Sequence, residues 1–191
     1  MVPVSDDFTV ILDTCVLVPA FLRDVLLNVV EDGMFTLRMS EHTLVELGEV
    51  LRRPKFKMTA ASVDWTINQI RVHFEDCIVT SYESIGIGIN LPDPKDAHVI
   101  QAALKGNAQQ IITYNAKHFP APELKQLDLE VQDPDILLES VFDLYPGRSC
   151  RTIKRWLANN RRPPKDLHEF HVALINHRLQ KAAARAAKWK G

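Results

Sequence analysis

Two polar residues come directly after apolar segments, where folding could bring their side chains close together. Asp13 follows the buried segment 8–12, and Asn115 follows the segment 110–114. In an open parallel sheet, functional sites form outside the carboxyl ends of the strands. Oxygen ligands gathered at such an edge are typical of Mg²⁺ or Mn²⁺ sites. Asp13 could equally be the N-cap of the helix that follows it, and both roles stay open at this stage.

The segment LPDPKDAHVIQAAL, residues 91–104, carries a stronger signal. Asp93, which proline follows, fits the N-cap of a helix with proline at its first position. Asp96 lies on the same helical face as Ile100 and Ala103, at i+4 and i+7. Because this is the face that a helix turns toward a sheet, the spacing predicts an inward-pointing carboxylate at the sheet edge.

Glu46 has a similar position in a predicted helix over residues 41–53, for which Ser40 is a natural N-cap. It lies at the border of an apolar stripe formed by Leu44, Leu47 and Leu51. Each acid taken singly is explained by capping or solvation. Carboxylates that converge on one edge, however, repel and raise one another's pKa unless a cation joins them. The set therefore predicts a divalent metal site.

Strand and helix patterns alternate through the first two-thirds of the chain. The predicted strands are residues 8–12, 77–80, 110–114 and 129–131, and residues 34–39 could be a strand or a connector. The predicted helices between them are residues 16–32, 41–53, 60–75 and 93–105. This alternation predicts an α/β fold, a three-layer α/β/α domain with a central parallel sheet.

The chain after residue 133 is predicted to be mostly helical, over residues 135–143, 149–160 and 165–188. Residues 1–147 hold 11 Lys and Arg against 22 Asp and Glu, whereas residues 148–191 hold 12 against 2. A basic segment is the usual electrostatic footprint of phosphate binding, but it could also be the solvated face of an amphipathic helix. We expect a domain at residues 1–143 and a basic helical extension at residues 144–191.

Composition excludes several classes of protein. No apolar segment approaches the roughly 20 residues that a transmembrane helix needs, so we expect a protein without a membrane partner. The three cysteines, Cys15, Cys77 and Cys150, are far apart, which is typical of reduced thiols in a cytoplasmic protein. A phosphatase that uses an aspartate nucleophile needs a second aspartate two residues after Asp13, and that position is Cys15.

With these motifs in order, the chain resembles the PIN-domain family, and specifically the VapC-like toxin ribonucleases of type II toxin–antitoxin systems. The resemblance spans about residues 8–143. It rests on four motifs: LDTCVL at residues 12–17, SEHTLVE at 40–46, LPDPKD at 91–96, and TYN at 113–115 with Phe119 nearby.

The resemblance implies a metal-dependent endoribonuclease that hydrolyses RNA phosphodiester bonds with Mg²⁺ or Mn²⁺. It implies a catalytic set of Asp13, Glu46, Asp96 and Asn115, and a metal-binding set of Asp13, Glu46, Asp96 and Asp93. The implied partners are an RNA substrate of the tRNA or rRNA class and a cognate antitoxin protein, and the family commonly forms homodimers. The implied location is the cytoplasm.

The fourth motif departs from the family. Many members carry Asp at the position of Asn115, and this branch commonly has Asp where His118 stands. Asn115 and His118 therefore stay open as the source of the fourth metal ligand. A PIN-like fold that has lost catalysis and binds RNA or protein is the alternative function. Because acids repel RNA, phosphate contacts are expected from the basic residues Arg23, Arg151, Lys154, Arg155, Arg161 and Arg162.

Overall fold

The computed structural model describes residues 8–159, 164 and 166–189, and these form two compact units. One unit, here called the sheet unit, comprises residues 8–19 and 36–132. The other, called the helical unit, comprises residues 20–35 and the described residues from 133 onward. Each unit is built from segments that are separated in sequence.

The strands are β1 (Thr9–Leu12), β2 (Thr36–Ser40), β3 (Ile78–Val79), β4 (Gln110–Ile112) and β5 (Glu130–Gln132). The helices are α1 (Thr14–Leu17), α2 (Ala20–Glu31), α3 (Glu41–Leu51), α4 (Ala60–His73), α5 (Ala97–Lys105), α6 (Ala121–Leu124), α7 (Pro134–Leu144), α8 (Pro146–Asn159), α9 (Leu167–Asn176) and α10 (Gln180–Ala186). Short 3₁₀ helices lie at Pro54–Phe56, Glu75–Cys77, Pro94–Asp96, Ala116–His118 and Lys125–Leu127.

The five strands form one parallel sheet in the order β3-β2-β1-β4-β5. The chain moves outward from β1 to β3 and then crosses back to β4, so the direction of winding reverses between β1 and β4. Right-handed crossovers then place α3 and α4 on one face of the sheet and α5 and α6 on the other. This arrangement confirms the predicted three-layer α/β/α fold.

The apolar core of the sheet unit lies between the sheet and α5. Ile11 of β1 and Ile111 of β4 are fully buried and pack with Val99, Ile100 and Ala103 of α5. Parallel strands that are covered on both faces consist mainly of apolar residues. In β1, all four residues are buried. The core fixes the register of β1 against β4, in which Leu12 lies opposite Ile112, and so fixes where both strands end.

The helical unit is organised around aromatic packing. Phe21 of α2 packs against Trp156 of α8 and Phe170 of α9, with ring centroids 6.0 and 5.8 Å apart. Trp189 stacks on Phe170 at 6.1 Å and meets the edge of Phe142 at 4.8 Å. Trp156 therefore contributes to packing, which is the role that its place in an amphipathic helix favours.

Two segments that were each predicted to form one continuous helix contain a break in the structure. The predicted helix over residues 16–32 is two helices, α1 and α2, that separate at Val18 and Pro19. The predicted helix over residues 165–188 is broken between α9 and α10, where Arg178 adopts a left-handed backbone with φ of 64°.

A carboxylate from α7 stabilises the break between α9 and α10. Asp135 accepts hydrogen bonds from the backbone N–H groups of Lys181 and Ala182, at 3.0 and 2.9 Å, in the first turn of α10.

The domain boundary predicted at residue 143 stays a prediction. None of the helices within residues 8–159 and 166–189 combines the length and the apolar character that a bilayer crossing requires.

Candidate active site

Asp13 lies at the point where the winding of the sheet reverses, directly after β1. Its carboxylate is buried, with 7% of the residue exposed. Although Asp13 occupies the N-cap position of α1, its side chain makes no capping hydrogen bond within the described chain. Instead, Oδ2 accepts hydrogen bonds from Thr113 Oγ1 at 2.6 Å and from Cys15 Sγ at 3.0 Å. The capping role that the sequence left open is therefore wrong, and the carboxylate faces the end of β4.

Cys15 is a hydrogen-bond donor at this site. Burial, together with the negative charge of Asp13, raises the pKa of the Cys15 thiol to about 12. The thiol therefore stays protonated at neutral pH, which suits a group that donates to a carboxylate and not a nucleophile.

Asp96 lies at the start of α5, on the same edge of the sheet. Its Oδ2 is 2.9 Å from Nδ1 of His118, which follows β4. Burial raises the pKa of Asp96, and the negative charges of Asp13 and Asp93 raise it further, whereas the hydrogen bond with His118 acts in the opposite direction. Asp13 and Asp96 are therefore close enough for the charge of one carboxylate to act on the other.

Asp93 is the N-cap that the sequence predicts. Its Oδ1 accepts a hydrogen bond from the backbone N–H of Lys95 at 3.0 Å. Asp93, Asp96 and His118 form a group in which one potential ligand atom from each lies within 4.8 Å of the others. Capping uses one carboxylate oxygen of Asp93, so the second oxygen can serve as a ligand.

Glu46 reaches the same edge from α3. Thr14 Oγ1, in the residue that follows Asp13, donates a hydrogen bond to Glu46 Oε2 at 2.6 Å. Two imidazoles flank the carboxylate: His98 Nε2 lies 3.5 Å from Oε2, and His42 Nε2 lies 3.6 Å from Oε1. A hydrogen bond with His98 lowers the pKa of Glu46, with burial opposing it and Thr14 and His42 adding to it.

The four predicted metal-binding acids thus occupy one edge but different local clusters. Asp96 belongs to the group with Asp93 and His118, and Glu46 belongs to a second group with His42 and His98. Asp13 belongs to neither of these groups. It is connected to them through Thr14 and through its electrostatic effect on Asp96.

Asn115 is exposed after β4, and its backbone N–H donates to Thr113 Oγ1 at 2.9 Å. His118 is in direct contact with Asp96, whereas Asn115 makes hydrogen bonds through its backbone N–H and carbonyl groups. The sequence left these two residues open as the fourth ligand, and that choice stays a prediction.

The predicted phosphate-binding residues have different environments in the helical unit. Arg151 and Lys154 are exposed on α8, whose buried face consists of Ser149, Thr152, Ile153 and Leu157. Arg155 forms an ion pair with Asp32 at 2.8 Å, and Arg23 is 7% exposed. Burial lowers the pKa of Arg23, so this side chain has little surface for a phosphate. Arg161 and Arg162 lie outside the described residues.

Sequence reasoning did not identify Thr14, His42 and His98 as part of the site, and named Thr113 only within a motif. Thr14 and Thr113 donate hydrogen bonds to Glu46 and Asp13, which lie 32 and 100 residues away in sequence. Hydrogen bonds between residues so far apart leave no local sequence pattern. His42 and Glu46 are spaced i, i+4 on a helix, and His98 is two residues after Asp96. These two spacings are signals that could have suggested a shared edge.

This arrangement is suited to binding a hard divalent cation. Both side-chain hydrogen bonds to Asp13 reach Oδ2, so Oδ1 can be a ligand. Burial raises the pKa of Asp96, the charges of Asp13 and Asp93 add to this effect, and a bound cation would offset it. A donor set of carboxylate oxygens fits Mg²⁺ or Mn²⁺.

Comparison with known proteins agrees with the motifs. Residues 9–117 match the PIN domain, and residues 134–188 match the VapC50 C-terminal domain. Over 94 residues, 49% of this chain, the sequence is 33% identical to "Putative ribonuclease VapC50" of Mycobacterium tuberculosis (strain ATCC 25618 / H37Rv). The aligned part spans 55% of that relative. No solved structure matches the chain.

The two matched regions follow one another along the chain. The first matched region begins at β1 and ends at residue 117, within the 3₁₀ helix Ala116–His118. It therefore includes every acid of the candidate site. The second covers α7 to α10. The resemblance drawn from the four sequence motifs is confirmed, and this chain belongs to the PIN-domain family.

Proposed function

We propose that this protein is a metal-dependent endoribonuclease that hydrolyses RNA phosphodiester bonds. The observation that carries the proposal is that Asp13 follows β1 at the switch point of the sheet and that, beside burial, its negative charge raises the pKa of Asp96. Membership of the PIN-domain family supports the same reaction class.

Asp13, Glu46 and Asp96 would hold the divalent ion, assisted by Asp93 and by either Asn115 or His118. A bound Mg²⁺ or Mn²⁺ would supply a Lewis acid that makes water a stronger nucleophile and stabilises charge on the phosphate. Thr113 and Thr14 position Asp13 and Glu46 through their hydroxyl groups. Cys15 stays protonated and holds the same oxygen of Asp13 as Thr113 does.

We propose that water, and not the ribose 2′-hydroxyl, is the nucleophile. The bond between phosphorus and O3′ then breaks, which leaves a 3′-hydroxyl and a 5′-phosphate. Attack by the 2′-hydroxyl would instead leave a 2′,3′-cyclic phosphate and a 5′-hydroxyl. The chemistry of the new ends therefore separates the two routes.

The proposed RNA contacts come from the exposed cations of α8, Arg151 and Lys154. Cations are needed because the acidic site repels the RNA backbone. Arg155 would have to exchange its ion pair with Asp32 for a phosphate, so we expect a smaller contribution from it. Arg161 and Arg162 remain candidates from sequence.

The biological role that we propose is that of a toxin in a toxin–antitoxin pair, acting in the cytoplasm on RNA of the tRNA or rRNA class. The similarity to the relative named as a VapC50 ribonuclease supports this role. A cognate antitoxin and a homodimeric state are expectations that come with the family.

The test is a cleavage assay on a panel of tRNA and rRNA with Mn²⁺ or Mg²⁺ and with a chelator. The wild-type protein should cut a member of the panel only with metal and should leave 5′-phosphate ends. An Asp13→Asn variant should be at least about a hundredfold slower. If the wild type binds RNA but leaves the whole panel intact, the alternative function of a binding module replaces the nuclease.

A further inference from the structure

The cluster of His42, Glu46 and His98 has a composition that the proposed nuclease reaction does not require. His42 and Glu46 lie one turn apart on α3, and His98 comes from α5. One ligand atom from each residue lies within 4.8 Å of the other two. Two imidazole nitrogens and one carboxylate suit Zn²⁺ and similar transition metals, whereas Mg²⁺ prefers oxygen ligands alone.

The separation of each imidazole nitrogen from a Glu46 oxygen is close to that between two ligand atoms of a tetrahedral zinc site. Nε2 of His98 and Nε2 of His42 lie 3.5 and 3.6 Å from the two oxygens of Glu46. Ligand atoms bound to zinc at tetrahedral angles lie roughly 3.3 Å apart, given bonds of about 2.0–2.1 Å. The two imidazole rings also stack on each other, with centroids 4.2 Å apart.

A buried hydroxyl orients His98. Ser40 Oγ is 3.2 Å from His98 Nδ1 and 3.0 Å from Thr43 Oγ1, and it accepts the backbone N–H of Thr43. When the hydroxyl proton goes to Thr43, the remaining lone pair of Ser40 accepts the Nδ1–H of His98. With Nδ1–H held in this way, the lone pair of His98 Nε2 is the one that a metal ion beside Glu46 would use. Metal-binding histidines are typically fixed in this way, by a hydrogen bond from the second ring nitrogen.

The exposure of the three side chains suits an ion that enters from solvent. The side chain of His98 is 9% exposed, so it is held in place by the protein, whereas those of His42 and Glu46 are 52% and 32% exposed. Water can complete the coordination on the open side. Each imidazole nitrogen faces a carboxylate oxygen, so either an imidazole N–H or a metal ion would lie between the two atoms.

We infer that His42, Glu46 and His98 form a second metal site, selective for Zn²⁺-class ions, that shares Glu46 with the proposed nuclease centre. Glu46 cannot serve both ions with the same oxygens. Zn²⁺ in this site therefore withdraws Glu46 from the nuclease centre and inhibits cleavage, a consequence that rests on the proposed function. The metal site itself does not depend on that function.

The first measurement uses untagged, full-length protein and Co²⁺ as a spectroscopic substitute for Zn²⁺. Titration should give the intense visible absorption of four-coordinate cobalt, and added Zn²⁺ should abolish it. His42→Gln removes an exposed ligand without disturbing the core, and should weaken Co²⁺ and Zn²⁺ binding at least about tenfold. His73→Gln, at an exposed histidine of α4, is the matched control and should bind as the wild type does.

His118→Asn tests the competing group of Asp93, Asp96 and His118. Retention of the cobalt spectrum in His118→Asn together with its loss in His42→Gln supports the proposal. The proposal is overturned if the cobalt spectrum is absent, if His42→Gln binds Zn²⁺ as tightly as the wild type, or if binding is lost in His118→Asn but kept in His42→Gln.

A second measurement tests the consequence for activity. With Mn²⁺ present, the Zn²⁺ concentration that halves each protein's own cleavage rate should be at least about tenfold higher for His42→Gln than for the wild type. Zinc binding at this site in a protein that cuts no RNA would contradict the proposed function alone. Cleavage by a protein that shows no zinc binding would contradict this inference alone.

Discussion

Thr113 Oγ1 donates a hydrogen bond to Asp13 Oδ2 at 2.6 Å, which ties the end of β4 to the end of β1. The same hydroxyl oxygen accepts the backbone N–H of Asn115 at 2.9 Å. Thr113 is 1% exposed, so water cannot replace either bond. One buried hydroxyl therefore orients a carboxylate of the candidate site and shapes the turn that follows β4.

Thr113→Val should weaken Mn²⁺ binding and slow RNA cleavage by about ten- to a hundredfold, the usual effect of removing a group that orients a metal ligand. The side-chain volume is kept, but Asp13 loses the Thr113 donor and keeps only Cys15 Sγ, and the backbone N–H of Asn115 loses its acceptor. Thr113→Ser, which restores the hydroxyl, should recover most of the loss. Calorimetric Mn²⁺ titration and cleavage rates measure both. Equal loss in the Val and Ser variants would show that packing, and not the hydrogen bond, matters at this position.

Asp96→Asn should stabilise the metal-free protein at neutral pH while it impairs cleavage. The folded state raises the pKa of Asp96, so it binds the proton more tightly than the unfolded chain does. Stability therefore falls as pH rises from the ordinary value of 3.8 through the raised pKa, and the loss is complete above it. Asparagine carries no charge and escapes this loss.

Urea denaturation in chelator at several pH values measures the effect. The advantage of Asp96→Asn over the wild type should be absent below pH 3.8, grow with pH, and then level off. Saturating Mn²⁺ should reverse the order, since the wild type gains more from the ion. A variant that is less stable than the wild type at every pH would mean that the hydrogen bond with His118 outweighs burial and repulsion.

Asp135→Ala should lower the free energy of unfolding by about 1–3 kcal/mol, because two backbone N–H groups at the start of α10 lose their shared acceptor. Asp143→Ala on the same helix is the matched control. Its side chain is 56% exposed in an ion pair with Arg185, so its removal should change stability by less than about 1 kcal/mol. Similar losses for both variants would argue against a capping role for Asp135.

Neutralising Arg151 and Lys154 should reduce the salt dependence of RNA binding. Each lost phosphate contact lowers the slope of log affinity against log salt by about 0.7 for single-stranded RNA. Arg151→Gln and Lys154→Gln should therefore bind more weakly in low salt and converge with the wild type in high salt. Lys105→Gln, an exposed lysine of the sheet unit, is the control. Unchanged slopes in both α8 variants would identify the basic face as a solvated surface.

The order of elements could be predicted because each has a local signal. Ser40 accepts the N–H of Thr43 as the N-cap of α3, and Asp93 caps the next helix start, both as predicted. The break between α9 and α10 has no such signal. It depends on Asp135, which lies 47 residues before Ala182 in the chain.

The acids of the site could be predicted because each has a local signal: Asp13, Asp93 and Asp96 stand at element boundaries, and Glu46 borders the apolar stripe of α3. Their partners could not. Thr14 reaches Glu46 and Thr113 reaches Asp13 only after the sheet has formed, and threonine at a strand end is common without such a role. The clustering of Glu46 with two histidines likewise depends on how α3 and α5 meet.

In the proposed metal centre, the carboxylates of Asp13 and Asp96 bind one divalent ion together. Electron paramagnetic resonance titration of Mn²⁺ into the untagged protein measures this binding directly. Wild-type protein should bind Mn²⁺ with an affinity that both Asp13→Asn and Asp96→Asn reduce at least about tenfold, with no further loss in the double variant. Mn²⁺ binding that is unchanged by Asp13→Asn, or losses that simply add in the double variant, would contradict it.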